Sequence, residues 1–251
     1  MPLSEALQFI LKDWLGRWPS LYIGLLRLKR RGHWSRDWLV NPSSPVVIEG
    51  FPRCGNSFAH SAFRRANPEV GPIATHVHHE AQVILACRWQ RPCLVLVREP
   101  APAVISLGAL TVADALSHGR PAPGRLPWHG YLNAYNRFYR TLLPYRKSLV
   151  IAPFEVATRR IDACVQALND RFGTHFTLPS PDRQTQDAIF SEAGHHLSPN
   201  RERDRIKQEL AEQLQADPHN HDRLAACRET YETFRENALA LPDASSPTDQ
   251  A

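Results

Sequence analysis

The sequence predicts an α/β fold, a three-layer sandwich in which helices flank both faces of a central parallel β-sheet. Two observations support this prediction. Short apolar runs rich in β-branched residues alternate with longer segments whose apolar residues recur at helical spacing. The chain has 251 residues, 43% of them hydrophobic, which is enough for one good core. Strands that alternate with helices pair in parallel, because each helix returns the chain to the same end of the sheet.

Four runs are predicted as buried strands, and the turns and helices between them follow from proline, glycine and apolar spacing. The strands are SPVVIEG at 44–50, the end of GPIATH at 71–76, PCLVLV at 92–97 and SLVIAPF at 148–154. Helices are predicted from about residue 56 to Pro68 and over 79–89, 100–110, 128–143, 159–173, 200–216 and 221–239. Residues 112–127 contain Gly, Pro and small side chains and are predicted to form a loop.

Three parts of the chain are distinguished. Residues 1–43 are an amphipathic helical segment packed on the domain, residues 44–240 are the domain itself, and residues 241–251 are a disordered tail. Within the first part, residues 8–31 end in the basic cluster RLKRR at 27–31. The favoured interpretation is a packed helix with a solvated basic end, and the alternative is peripheral contact with a membrane surface.

The net charge indicates the class of ligand, and the cysteine content indicates the cellular compartment. The formal net charge of +5 suits an anionic ligand but is too weak and too dispersed to predict nucleic-acid binding. The five cysteines form no C-x-x-C pair, and their odd number argues against a disulfide framework. A reducing, cytoplasmic location is therefore expected. The cysteines are Cys54, Cys87, Cys93, Cys164 and Cys227.

Residues 47–58, VIEGFPRCGNSF, nearly match a phosphate-binding loop. Gly50, Gly55 and Ser57 fit the pattern G-x-x-x-x-G-K-[ST], but Asn56 stands where the lysine is expected. The nearest cation is Arg53. The turn after a strand and the start of the next helix direct backbone N–H groups at an anion. The loop therefore predicts an anion site in which the charge has moved from position 56 to position 53.

A second cation follows the strand PCLVLV. Arg98 comes directly after this strand, and Ser106 follows eight residues later in the next predicted helix. An arginine at the end of a buried strand is costly unless it meets an anion there. Ligands of parallel sheets bind at the carboxyl ends of the strands. Arg53 and Arg98 are therefore expected at one edge of the sheet.

Together these motifs resemble those of the sulfotransferases that use 3′-phosphoadenosine 5′-phosphosulfate (PAPS). FPRCGNSF matches the family's phosphosulfate loop, [FY]-P-[KR]-[ST]-G-[TN]-[ST]-[WF], and Arg98 with Ser106 matches its 3′-phosphate motif. The resemblance covers roughly residues 44 to 210 and implies a P-loop-type sandwich. It also implies these co-substrate contacts: Arg53, Cys54, Gly55, Asn56, Ser57, Phe58, Arg98 and Ser106.

The resemblance also implies the chemistry. The family often carries K-T-H-L-P, whose histidine is the catalytic base, and the spacing of ATHVH favours His76 for that role. His78 and His79 are alternatives; in an extended segment His78 would share the face of His76 and His79 would point away. Arg53 would stabilise charge on the departing oxygen. A sulfuryl group carries less charge than a phosphoryl group, so no metal is expected.

The chain departs from the family pattern in three places. Cys54 replaces a serine or threonine of the loop, and Ala74 replaces the lysine before the histidine. The family's later R-K-G segment is absent as written. SPNRERDRIKQEL at 198–210 is the nearest substitute, through Arg201, Arg203 or Arg205.

Two rival functions remain at this stage. One is a catalytically silent nucleotide- or anion-binding protein of the same fold, and the other is a P-loop kinase, which would want a lysine at position 56 and an aspartate for Mg²⁺. The expected partners of an enzyme are PAPS, its product 3′-phosphoadenosine 5′-phosphate (PAP), and an acceptor that is a carbohydrate, a lipid or a small molecule. Residues 112–127 and 180–197 are expected to bind the acceptor. Four aromatic residues are predicted as helix core rather than as a substrate platform: Trp128, Tyr131, Tyr135 and Tyr139.

Overall fold

The computed structural model describes residues 18–180 and 201–240, without the side chains of residues 201–203. Parts of four predictions fall outside these residues. They are residues 1–17 of the amphipathic segment, residues 181–197 of the acceptor-binding stretch, residues 198–200 of the arginine-bearing segment and the disordered tail at 241–251.

The described chain contains one sheet of four parallel strands in the order β2-β1-β3-β4. Val47 of β1 pairs with Ala74 of β2 on one side and with Cys93 of β3 on the other. Every strand residue is buried, as expected for a parallel sheet covered on both faces. The predicted α/β sandwich and its four strands are therefore confirmed. The strands are β1 (Val47–Gly50), β2 (Ala74–Thr75), β3 (Cys93–Val97) and β4 (Val150–Pro153).

Nine α-helices occur among the described residues, with short 3₁₀ turns at Trp34–Trp38 and Leu143–Ser148. The first five are α1 (Pro19–Lys29), α2 (Asn56–Ala66), α3 (Glu80–Arg88), α4 (Pro100–Ser117) and α5 (Trp128–Leu142). The others are α6 (Phe154–Arg159), α7 (Ile161–Phe172), α8 (Arg201–Ala216) and α9 (Pro218–Arg235).

The helices form a layer on each face of the sheet. The connection β1–α2–β2 runs in one direction along the sheet and β2–α3–β3 runs back, so right-handed crossovers place α2 and α3 on opposite faces. Helices α6 and α7 contact α2 on the first face. On the second face α3 contacts α1 and α5, and α5 contacts α4 and α9.

The strand order reverses between β1 and β3. The chain leaves β1 toward β2 on one side, and β3 lies on the other side of β1. Ligands of open α/β sheets bind in the crevice at such a switch point, outside the carboxyl ends of the strands. The loop carrying Arg53 follows β1, and Arg98 follows β3. Both predicted cations therefore flank this crevice.

Two predicted boundaries were wrong. Helix α4 continues to Ser117, so the predicted loop at 112–127 begins only after that residue. Its residues TVADALS include good helix formers, and Gly108 is tolerated because its bare Cα allows close packing: a Cβ there would lie 2.7 Å from Leu126. The helix predicted at 221–239 is shifted, since α9 begins at Pro218 and ends at Arg235. The helix predicted at 159–173 is confirmed as α7, and the short helix α6 before it was not predicted.

Helix α4 is the one described helix that is long and apolar enough to cross a membrane. It contacts α5, α8 and α9 along its length, which is the packing of a core helix. Length and composition alone are therefore weak evidence for a membrane span here.

Candidate functional site

The loop after β1 has the backbone of an anion-binding turn. Gly55 has a φ of 97°, in the left-handed region that favours glycine, and forms the N-cap of α2. A Cβ at Gly55 would lie 3.4 Å from the Phe154 ring. Arg53 also has a positive φ, 70°, a conformation that costs energy in a residue other than glycine. The N–H groups of the first helical turn, Asn56–Phe58, have no acceptor within the helix and can serve an anion.

Arg53, Arg98 and Ser106 meet in the crevice and are called the arginine cluster below. Arg53 Nε donates a hydrogen bond to Ser106 Oγ at 3.0 Å, although 53 residues separate them in sequence. Arg98 donates to the Arg53 carbonyl at 3.2 Å and lies over the Phe154 ring, 4.1 Å from its centroid. Burial lowers the pKa of Arg98, the mark of a cation held partly away from water. The fold thus joins three residues that two separate motifs predicted.

Two tyrosines of α5 hold the end of β3. The Tyr139 hydroxyl donates to the Leu96 carbonyl at 2.8 Å and accepts from the Phe51 N–H at 3.2 Å. The Tyr135 hydroxyl donates to the Arg98 carbonyl. All four aromatic residues predicted as helix core are buried. Tyr131 also lines a cavity beside His78, whereas Tyr135 and Tyr139 are fully buried. Their hydroxyls also fix the backbone of both site loops, a role that helical spacing could not reveal.

Two side chains of the loop turn inward. The Cys54 thiol is buried beside the Tyr139 hydroxyl, at 3.3 Å, and burial raises its pKa to about 12. Asn56 is 3% exposed and donates to the Phe51 carbonyl at 3.0 Å. A bound anion would therefore meet the backbone of these residues rather than their side chains. Their predicted contact with the co-substrate stays a prediction.

His76 lies where it can reach the loop. Its Nε2 is 3.1 Å from Ser57 Oγ, and its Nδ1 is 3.0 Å from Thr75 Oγ1. Burial, with a smaller contribution from nearby His78, lowers its pKa to about 4. The imidazole is therefore neutral at physiological pH, the state that a base requires.

The alternatives His78 and His79 have different surroundings. The His78 Nδ1–H donates to the Gly50 carbonyl at 2.9 Å, so in the neutral ring Nε2 carries the lone pair. His79 is fully buried, accepts from the Ala81 N–H as the N-cap of α3, and stacks on Tyr22 at 4.0 Å. His78 thus keeps the tautomer of a base, whereas His79 has a structural position.

The segment from Thr75 to His79 is not extended. His76 and His78 have φ values of 53° and 52°, both left-handed, so the expectation of an extended segment was wrong. Their rings are nevertheless neighbours, 5.6 Å between centroids. His79 does point away, as expected. The turn is stabilised by hydrogen bonds that the sequence motifs did not reveal.

Glu49 supplies those hydrogen bonds from the centre of the sheet. Its Oε1 accepts from the Val77 N–H and from Gln82 Nε2, each at 2.8 Å, and its Oε2 accepts from the His78 N–H at 3.2 Å. The Gly50 N–H is a fourth donor, at 3.3 Å. Burial raises the pKa of Glu49 to about 7, and the donated bonds oppose a larger rise. A carboxyl inside a strand that is otherwise apolar was the one signal that could have identified it.

Two cavities open beside the histidines. One, of about 270 Å³, has Phe51, His78 and Arg137 in its wall. The other, of about 440 Å³, is lined by Trp34, Trp38 and His60 among others. The Trp38 ring lies 5.0 Å from the His76 ring. Each candidate base therefore has an adjacent cavity that could receive an acceptor.

The three arginines predicted from α8 are not joined to the cluster by any described contact. Arg205 is exposed and forms an ion pair with Glu209 of the same helix at 3.5 Å. The side chains of Arg201 and Arg203 lie outside the described residues. Within residues 18–180 and 201–240, no group of three His, Cys, Asp or Glu side chains is arranged to hold a metal ion.

No protein-family model matches this chain, and no curated protein matches its sequence. The resemblance to the sulfotransferases therefore rests on the motifs and on where the fold places them.

Proposed function

We propose that this chain transfers a sulfuryl group from PAPS to a hydroxyl or amine of an acceptor. The observation that carries the proposal is the arginine cluster: Arg53 of the loop contacts Ser106, and Arg98 contacts Arg53, at the switch point of the sheet. The phosphosulfate motif and the 3′-phosphate motif predicted these residues separately. Their meeting at one crevice supports a ligand with two anionic groups.

Each residue of the site has a proposed role in binding or in transfer. Arg98 and Ser106 would bind the 3′-phosphate, and the N–H groups at the start of α2 would bind the phosphosulfate. Arg53, which contacts Ser106 and belongs to the loop before α2, would stabilise the charge that grows on the oxygen leaving sulfur. Ser57 would orient the sulfuryl group while keeping its contact with His76.

In the proposed reaction, a histidine takes the proton that the acceptor loses. The acceptor oxygen or nitrogen attacks sulfur, its proton passes to the lone pair of His76, and the bond between sulfur and the phosphate oxygen breaks with release of PAP. A pKa of about 4 makes His76 a weak base on its own. The negative charge of a bound co-substrate beside Ser57 would raise that pKa.

The silent nucleotide-binding protein is the second candidate. The low pKa of His76 and the buried Cys54 thiol favour it, because neither group as it stands promotes transfer. A P-loop kinase has less support, since the Asn56 side chain at the lysine position donates inward to the Phe51 carbonyl.

An acceptor screen with isotopically labelled PAPS separates the two candidates. Carbohydrates, lipids and small hydroxyl or amine compounds are each incubated with protein and co-substrate, and the products are read by mass spectrometry. The proposal expects a labelled sulfated product that the Arg53→Ala variant forms much more slowly. Binding of PAP without any product from any class would favour the silent protein.

A further inference from the structure

Large exposed apolar side chains are concentrated at the start of the described chain. Trp18, Leu21, Leu25 and Leu28 are 52, 45, 44 and 66% exposed, and Trp34 is 65% exposed. These five residues are called the apolar stripe. Elsewhere in the described ranges the large hydrophobic side chains with comparable exposure are Leu116 and Leu178. The stripe is therefore a local feature rather than the ordinary scatter of surface leucines.

Helical spacing places four of the five stripe residues on one face of α1, and Trp34 follows the helix in the next turn. Residues 18, 21, 25 and 28 follow one another by three, four and three positions, which aligns them along α1 and its N-cap. The opposite face carries Tyr22 and Ile23, which are buried, and Tyr22 stacks on His79 next to α3. One face of α1 thus packs on the protein and the other presents leucines to solvent.

The charge around the stripe is predominantly positive. Residues 19–37 contain five basic residues and one acidic residue, Asp37. Lys29 and Arg31 are exposed, while Arg27 and Arg30 donate to backbone carbonyls and stiffen the connection. Apolar side chains bordered by cations match a surface that offers acyl chains beneath anionic groups. The five basic residues are Arg27, Lys29, Arg30, Arg31 and Arg36.

We propose that the apolar stripe docks on a lipid bilayer that carries anionic headgroups. Helix α1 would lie in the plane of the interface with its leucines among the acyl chains and its tryptophans at headgroup level. A second copy of this chain fits less well, because a symmetric contact through the stripe would bring identical basic segments together. The bilayer is therefore the occupant that both the apolar and the charged residues favour.

The stripe ends beside the candidate site. Trp34 contacts Trp38 edge to face at 4.6 Å, and the Trp38 ring lies 5.0 Å from the His76 ring. Both tryptophans line the 440 Å³ cavity. On the proposed function, docking would turn this cavity toward the membrane and favour an acceptor carried by a lipid. Docking itself does not depend on that function.

The test is flotation of the full chain with vesicles of phosphatidylcholine, alone or mixed with phosphatidylserine. We expect binding to the mixed vesicles, weakened by salt, and a loss of about ten-fold or more in the L21S/L25S/L28S variant. The matched control is L116S/L178S, which removes exposed leucines elsewhere and should bind like the unmodified chain. K29Q/R31Q should lose the preference for anionic vesicles. Equal binding by the stripe and control variants, or no binding of the unmodified chain, would overturn the proposal.

Thermal unfolding of the same variants guards against a hidden structural role. Because the leucines are exposed, L21S/L25S/L28S should unfold within a few degrees of L116S/L178S. A clearly lower midpoint for the stripe variant would mean that the stripe is covered in the full chain, by residues 1–17 or by a second copy, and would overturn docking. Neither assay requires turnover of PAPS, so failure of docking and failure of the proposed function can be told apart.

Discussion

The arginine cluster and the histidine segment lie at the same edge of the sheet, but they are held in different ways. In the cluster, cationic side chains make the contacts: Arg53 reaches Ser106, and Arg98 reaches a carbonyl and the Phe154 ring. In the segment at 75–79, the backbone is fixed by the buried carboxylate of Glu49. Substitutions in the cluster should therefore change ligand affinity and rate, whereas substitution of Glu49 should change the fold of the segment itself.

The largest effect is expected from His76→Ala, which removes the proposed base. Turnover should fall about a hundred-fold or more, the usual scale for loss of a general base. PAP affinity should be nearly unchanged, because the imidazole is proposed to serve the acceptor rather than the nucleotide. Steady-state kinetics check the loss of turnover, and a PAP titration checks the unchanged affinity.

His78→Ala and His79→Ala are the controls for that variant. His79→Ala should lower stability, because it removes a buried helix cap, while leaving the site chemistry in place. An active His76→Ala beside an inactive His78→Ala would move the base to the 270 Å³ cavity. If all three variants remained active, no histidine of this segment would be the base.

The two arginines should separate rate from affinity. Arg53→Ala should lower kcat by about a hundred-fold with a smaller effect on PAP binding, since its charge is proposed to act on the leaving oxygen. Arg98→Ala should mainly weaken PAP binding. Arg235→Ala is a matched control, because this arginine is exposed on α9 and pairs with Glu232. The reverse pattern for Arg53 and Arg98 would contradict the assignment.

Glu49 should make stability depend on pH. Its pKa is raised from the ordinary 4.5 to about 7, so its contribution to folding is fully present below pH 4.5 and is lost as pH rises through 7. Between pH 4.5 and pH 8, the titration of Glu49 alone should therefore lower the unfolding free energy by about 3 kcal/mol. His78 Nδ1 lies 3.8 Å from Glu49 Oε2, but its hydrogen is donated to the Gly50 carbonyl.

Denaturant unfolding from pH 5 to pH 8 checks this prediction with Glu49→Gln. The glutamine amide at position 49 would turn an N–H group toward the donors, so the variant should be less stable than the unmodified chain at pH 5. Because the amide cannot titrate, the unfolding free energy of the variant should depend less steeply on pH. An unchanged slope in Glu49→Gln would show that other groups set the pH dependence.

The smallest effect is expected from Cys54→Ser, which restores the hydroxyl of the family's loop. The side chain faces Tyr139 rather than the crevice, so turnover and PAP affinity should change by less than about three-fold. Steady-state kinetics of this variant and of Arg53→Ala check whether the side chain at position 54 contributes far less to turnover than Arg53. A large gain in rate would show that the side chain at position 54 touches the co-substrate.

Much of the fold could be predicted because its signals are local. The strand before Arg98 is a continuous apolar run, and the strand before Gly50 is apolar except for Glu49. Their parallel pairing follows from the helices between them. The placement of Arg53 and Arg98 could also be predicted, because ligands of parallel sheets bind at the carboxyl ends of the strands. The end of α4 was missed because the predicted loop was assigned from the Gly and Pro content of residues 112–127, and those residues begin only at Gly119, after the helix has ended at Ser117.

The finer geometry of the site depends on contacts between residues far apart in sequence. Left-handed backbone at His76 and His78 is stabilised by Glu49, 28 and 29 residues from the two N–H groups it accepts. The Tyr139 hydroxyl joins two strand ends from a helix more than forty residues away. No periodicity within one element carries such information.

Binding of PAP tests the central claim most directly. Isothermal titration with PAP and with ADP, each with and without a chelator, asks whether the crevice holds the extra phosphate that Arg98 and Ser106 are proposed to bind. We predict clear preference for PAP, unchanged by the chelator and reduced in Arg98→Ala. Equal affinity for ADP, or binding that requires Mg²⁺, would contradict the account.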